Sequence, residues 1–302
     1  MGCILAASSS NQRQTERERS SQCMATCGTT RVVPDKKIKI TGCTFMENGH
    51  LVTVDFNNRR IKLYDQDLKC RSFINLIQRP FDVCAVQSNL YITFPKRKYV
   101  QRFKVTCQMM CLKRKLMQRN IFPTEGECRG IVSYDKDLII SVKFTNHAST
   151  DITDSQWQVQ IISVTGSVKR RIMHSSQGLA LFHDARYIAL TPGQYELVIA
   201  EGEDNRVKCL DIKTGELTFN HHMEDPKGVT CDKSGNIYVL GKHGAIRWIL
   251  ADREYIKVLL KGTSGVNFSD AITYLKRINT LAVPRNENRI ELYKIKNSIH
   301  DG

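Results

Sequence analysis

The amino-acid sequence predicts an all-β fold, a six-bladed β-propeller of four-stranded antiparallel blades, and three observations predict it. From Val32 onward the chain reads as short alternating strands separated by polar turns, with no stretch of helical period. Pairs of such strands recur six times. Their spacing falls near the roughly 40 to 50 residues that a blade of four strands occupies.

The first pair is Leu51–Val54 with Ile61–Tyr64, followed by Leu90–Phe94 with Val100–Val105, and by Leu138–Val142 with Val159–Val164. Leu197–Ala200 with Val207–Leu210, Ile237–Leu240 with Ile246–Ile249, and Leu281–Val283 with Ile290–Tyr293 complete the set. The first members start at 51, 90, 138, 197, 237 and 281, in steps of 39, 48, 59, 40 and 44 residues. The third unit carries an insertion, Asn146 to Gln156, between its strands. The hairpins of the first, fourth and sixth units share an Asn-Arg step, at Asn58-Arg59, Asn205-Arg206 and Asn288-Arg289, before a β-branched residue. Asn tolerates the left-handed backbone that a tight hairpin needs, and the β-branched residue resumes the strand.

Only three strands are easily found after Asp270, and Lys36–Ile40 is a spare strand ahead of the first unit. Pairing it as the outer strand of the last blade would clasp the two ends and leave no open seam. Residues 1–30 are polar and mixed in charge, with few large apolar residues, and are expected to be a disordered tail before a propeller over 31–298.

Pro226-Lys-Gly-Val-Thr-Cys-Asp-Lys-Ser-Gly-Asn-Ile-Tyr-Val-Leu240 resembles an NHL repeat, whose units open with Pro-x-Gly-Val, continue to Asp-x-x-Gly-Asn-Ile-Tyr-Val and end with Asn-x-Arg-Ile. The chain is similar to the carboxy-terminal propeller of tripartite-motif (TRIM-NHL) proteins across roughly residues 32 to 296, well in the fifth blade and weakly elsewhere. It departs from the pattern at Gly241-Lys-His-Gly-Ala-Ile246, where the family would place Asn-x-Arg-Ile. The resemblance implies a macromolecule-binding scaffold. Substrate recognition beside a ubiquitin ligase is the family's usual role, but its RING, B-box and coiled coil have no counterpart here, so any link to ubiquitination is expected to be indirect.

Eleven cysteines, an odd number spread along the chain, with no secretory signal at the start, point to reduced thiols and a cytoplasmic protein. The close pairs Cys23/Cys27 and Cys107/Cys111 lack a matching second pair, so no structural zinc module is expected. Cys43, Cys84, Cys209 and Cys231 lie in apolar runs and read as small buried hydrophobes. No apolar run approaches the length of a membrane span. Gly2 and Cys3 would permit dual acylation, but the sixth residue is Ala rather than Ser or Thr, so the start is not read as an anchor.

The chain has no Gly-x-Ser-x-Gly elbow, P-loop or His-Glu-x-x-His. His221 and His222 are adjacent, so in a strand they point to opposite faces. Asp55, His183 and Asp232 are the polar residues that a metal-dependent propeller hydrolase or lyase could use, and they form no convergent set in the sequence. The chain is therefore expected not to be an enzyme and to need no cofactor or metal.

Net charge is +15, and it is concentrated. Between Arg59 and Arg119, fifteen Lys and Arg stand against Asp65, Asp67 and Asp82. Lys96, Arg97, Lys98, Arg102, Lys113, Arg114, Lys115 and Arg119 are the candidate binding residues, interleaved with Tyr91, Phe94, Tyr99 and Phe103. Cations of this density favour acidic partners. A protein is the expected partner. Single-stranded RNA is the alternative, gripped by cations on phosphates and rings on bases; otherwise the rings fill the core and the cations solvate a blade edge.

Overall fold

The computed structural model describes residues 21–26, 37–108, 113–145, 155–261, 269–286 and 289–295. They form six antiparallel sheets of four strands each, the predicted propeller. Blade one is β2 (Ile40–Phe45), β3 (Leu51–Asp55), β4 (Arg60–Tyr64) and β5 (Cys70–Asn75), from the axis outward. Blade two is β6 (Val83–Val86), β7 (Asn89–Phe94), β8 (Tyr99–Gln108) and β9 (Lys113–Pro123). Blade three is β10 (Glu127–Tyr134), β11 (Asp137–Thr145), β12 (Ser155–Ser163) and β13 (Val168–Ile172), and blade four is β14 (Ala185–Leu190), β15 (Glu196–Glu201), β16 (Arg206–Asp211) and β17 (Leu217–His222). Blade five is β18 (Val229–Cys231), β19 (Ile237–Leu240), β20 (Ile246–Ile249) and β21 (Ile256–Leu260). Blade six joins β22 (Thr273–Leu275), β23 (Thr280–Arg285) and β24 (Arg289–Ile295) to β1 (Ser21–Thr26). No helix among the described residues is long and apolar enough to cross a membrane.

The strand pairs recognised in the sequence are the second and third strands of each blade, and their apolar density has a cause. A second strand is covered on both faces by neighbouring blades, so every residue of β3 is buried. An outermost strand has a solvent face, and β5 alternates half-buried with exposed residues. Six apolar clusters result, one in each space between adjacent blades. Val52, Val54, Ile61 and Leu63 of blade one, for example, meet Leu90, Ile92, Phe94 and Phe103 of blade two. Each such side chain contributes about 1.5–3 kcal/mol by leaving water.

The ring closes as expected in kind but through a different segment. Ser21–Thr26 pairs antiparallel with β24, Ser21 opposite Ile295 and Thr26 opposite Ile290, so the closing strand lies within the first thirty residues. Lys36–Ile40 does not serve. Ile38 and Ile40 are buried in the cluster between blades six and one, and Ile40 opens β2, the innermost strand of blade one. Two isoleucines at period two suit either place. The core between blades six and one takes them, and Gly42, two residues beyond Ile40, lets β2 approach blade two on its other side so closely that a Cβ there would lie 2.5 Å from Asp82 Oδ1 and 2.7 Å from its Cα.

In the hairpins, left-handed backbone falls on Asn205 (φ 51°), as the pattern suggests, but in the first copy on Arg59 (φ 53°) instead of Asn58. Asp55 explains the shift. Its carboxylate accepts from the Asn58 backbone N–H at 3.1 Å and from Asn58 Nδ2 at 2.8 Å, holding Asn58 on the near side of the turn. In blade three, Thr145 of β11 pairs with Ser155 of β12, so Ser155 and Gln156 of the expected insertion belong to a strand; residues 146–154 lie outside the described residues.

Candidate functional site

The hairpins between second and third strands emerge on one face of the ring, because every blade has the same strand order. On that face, between blades one and two, a groove of about 450 Å³ is lined by Arg59, Ile77, Gln78, Arg79, Phe94, Lys96 and Arg97. Arg59 sits in the β3–β4 hairpin, and its left-handed backbone is pinned where its carbonyl accepts from Leu76 N–H at 2.7 Å. Its Nη1 donates to the Ile77 carbonyl at 3.2 Å. The Arg79 guanidinium lies 5.2 Å from the centre of the Phe56 ring, and Lys39 Nζ lies 5.8 Å from the same ring. Lys96 and Arg97 ride on a tight turn that follows Pro95. It is closed by the Lys98 N–H donating to the Pro95 carbonyl at 3.0 Å, with Lys98 left-handed at φ 52°.

Four cations thus surround the groove and no acid lines it. Among the described residues none of Arg59, Arg79, Lys96 and Arg97 takes part in an ion pair.

Blade four presents the opposite case. Arg186 pairs with Asp184 at 2.7 Å and with Glu203, Arg206 with Asp204 at 3.8 Å, and Lys208 with Glu201 and with Asp204 at 3.3 Å. Glu201 is fully buried and also accepts from the His183 backbone N–H at 2.9 Å. Burial pushes the Asp184 carboxyl up to about 6, against the opposing pull of Arg186. His183, Glu201 and Asp204 could share a metal ion by their spacing. Glu201 and Asp204 hold the Lys208 ammonium instead, which also donates to the Leu181 carbonyl at 3.0 Å, and His183 Nδ1 lies 3.5 Å from Asp204.

The sequence-derived cations divide between places. Lys96, Arg97 and Lys98 are exposed on the turn. Arg102 is half-buried on β8 opposite Tyr91 of β7, whose hydroxyl it engages. Lys113, Arg114 and Lys115 stand at the far end of β9, opposite Gln108, Cys107 and Thr106, whereas the turn end meets Pro123. At about 3.3 Å per residue the strand puts roughly 30 Å between them. Arg119 is exposed midway along the same outer strand. Gly2 and Cys3 lie outside the described residues.

The interleaved rings do not stack on a ligand. Tyr91 is 2% exposed, Phe94 1% and Phe103 0%, and Tyr99 packs on Phe94 at 4.8 Å between centres. With both faces of these strands covered, Tyr91, Phe94 and Phe103 are turned inward and Tyr99 is half-buried against Phe94, so the core-filling alternative holds for the rings and stacking on RNA bases does not.

The axis holds a second cavity, of about 490 Å³, and the residue that sequence reasoning missed there is Asp82. Its two carboxylate oxygens accept from the Val83 N–H at 2.8 Å and, across the blade boundary, from the Ile131 N–H at 3.0 Å. Burial pushes its carboxyl up to about 7 despite these two amides. Cys43, Cys84 and Cys231 line the same cavity, and burial raises all three thiols. Asp55 and Asp232 are turn residues: Asp232 accepts from the backbone N–H of Ser234 and Asn236 at 2.8 and 3.0 Å and from the Tyr238 hydroxyl at 2.9 Å.

No family model and no curated protein matches the sequence. Solved structures match the fold. A streptogramin B lyase aligns with a TM-score of 0.62 at 12% identity, over 92% of this chain and 98% of that one. A luciferin-regenerating enzyme aligns with a TM-score of 0.61 at 12% identity, over 91% and 96%. A chain of the mitotic checkpoint complex aligns with a TM-score of 0.57 at 11% identity, over 87% and 76%. At these identities the likeness establishes a six-bladed propeller. It also overturns the expectation that the chain is not an enzyme. Two of these propellers are enzymes, and a propeller can gather an active site from several blades at its axis, so the lack of a linear motif argues nothing against catalysis.

Proposed function

We propose that this chain is a recognition propeller that binds an acidic protein partner with the face carrying the groove between blades one and two. The observation that carries the reading is the contrast of charge on that face. The cations of blade four are neutralised by Asp184, Glu201, Glu203 and Asp204, whereas Arg59, Arg79, Lys96 and Arg97 line a groove that no acid enters. Loops held by rigid sheets are where such a fold places recognition. The NHL-like opening of blade five and the similarity to TRIM-NHL propellers support a scaffold of this kind, and a chain of the mitotic checkpoint complex is similar in fold. A link to ubiquitination would run through the bound partner. A cytoplasmic setting suits the free thiols Cys43, Cys70, Cys84, Cys128, Cys209 and Cys231.

The test is fluorescence anisotropy with a labelled glutamate-rich peptide at low and physiological salt, using the wild type and a variant with Arg59, Arg79, Lys96 and Arg97 all changed to Gln. Binding that weakens with salt and is lost in the variant supports the reading. Binding indifferent to the four changes, or none by the wild type, refutes it.

A further inference from the structure

We propose that the groove between blades one and two is a binding site for a phosphorylated side chain of the partner protein, an inference that rests on the acidic-partner reading above. Three arginines and a lysine converge on it from separate pieces of chain: Arg59 from the β3–β4 hairpin, Arg79 from the link between blades, and Lys96 with Arg97 from the β7–β8 turn. Single carboxylates match such a set poorly. A phosphate monoester carries about −1.5 to −2 charges and three acceptor oxygens, and arginine forks are the side chains best shaped to meet them in pairs.

Two of the arginines are held in place before any ligand arrives. Arg59 spends one N–H on the Ile77 carbonyl, and the Arg79 guanidinium rests on Phe56. The Lys96–Arg97 turn is fixed by its Pro95 carbonyl bond and by the Thr124 N–H donating to the Lys98 carbonyl at 2.7 Å. Such a site loses little side-chain freedom on binding.

The groove floor and rim indicate what surrounds the phosphate. Phe94 forms a buried floor, and Ile77 is 82% exposed at the edge. An isoleucine so exposed beside four cations suits a ligand with an apolar group next to its charge, as a phosphorylated peptide offers. Nucleic acid would need rings to stack its bases, and those of blade two are buried.

The experiment measures anisotropy of three labelled peptide pools, identical at degenerate flanking positions and carrying phosphoserine, serine or glutamate at the centre, with a single-stranded oligouridine as a fourth probe. The phosphoserine pool should bind at least about tenfold tighter than the glutamate pool, a difference of about 1.4 kcal/mol. Arg59→Gln with Arg97→Gln should abolish that preference, while Lys136→Gln, an exposed change in the β10–β11 hairpin, should leave it intact. The changed residues are exposed, and an unaltered melting curve shows that loss is not unfolding. Equal binding of phosphoserine and glutamate pools would overturn the phosphate site and leave the acidic-partner reading standing. Binding of neither pool overturns both, and preference for oligouridine overturns both in favour of nucleic acid.

Discussion

Changing Lys208 to Met removes the ammonium that neutralises blade four's interior. Lys208 is 5% exposed at its side chain and Glu201 is 0%, so neither charge has water to fall back on. Asp184 and Asp204 lie beside them and Glu203 also draws on Arg186, so the variant would leave four carboxylates with Arg186 and Arg206, which are 39% and 40% exposed, to answer them. Breaking one side of a buried pair costs about 3–5 kcal/mol. For a chain of this size, at about 2 °C per kcal/mol, the melting midpoint should fall by roughly 6–10 °C. The second change, Glu201→Gln, should restore most of the loss. Gln keeps an oxygen to accept from the His183 and Asp184 N–H groups and turns an amide toward Asp204 in place of the missing ammonium. The assay is urea unfolding and thermal melting of the wild type, both single variants and the double variant. A Lys208→Met loss below about 1 kcal/mol, or a double variant no better than Lys208→Met, would refute the reasoning, since either result would mean the buried charges are not coupled.

Four further outcomes follow from the geometry. The folded-state carboxyls of Asp82 and Asp184 are raised, so from about pH 4 upward the folded protein keeps protons that the unfolded chain has released; stability should decline as pH rises through about 6 to 7, and Asp82→Asn should flatten that decline in melting curves. Gly42→Ala puts a Cβ against Asp82 backbone and side chain, and should cost about 1–3 kcal/mol in urea unfolding, whereas Gly178→Ala meets nothing within 4 Å and strains only its φ of 78°. Deleting residues 1–26 removes β1 and bares the edge of β24; lower melting temperature and self-association by size-exclusion chromatography are expected. Cys43 and Cys84, buried with raised pKa, should react with a thiol reagent only after denaturation.

The sequence by itself determined the six blades, because the second and third strands of each are covered on both faces and carry an apolar density that repeats at blade spacing. By the same logic it determined the burial of Cys43, Cys84 and Cys209, though Cys231 is half-buried and the buried Cys128 was not foreseen, and it located Lys96 and Arg97 by the turn that Pro95 opens. Tertiary structure decided the rest. The sequence placed ring closure at Lys36–Ile40 and read residues 1–30 as a polar tail, because Ser21–Thr26 is a polar strand whose partner β24 lies at the other end of the chain, whereas Ile38 and Ile40 were needed in the core between blades six and one. Tyr91, Phe94 and Phe103 of blade two looked equally fit for core or ligand until blades one and three covered them. Arg59 and Arg79 join Lys96 and Arg97, and Asp82 reaches Ile131, only where one blade packs on the next. Charge in a sequence is a local count. Which charges are neutralised and which face an open groove depends on neighbours dozens of residues away, as the pairing of Arg171 with Glu125 and of Arg253 with Glu196, against Arg59 and Arg79, which enter no ion pair among the described residues, makes plain.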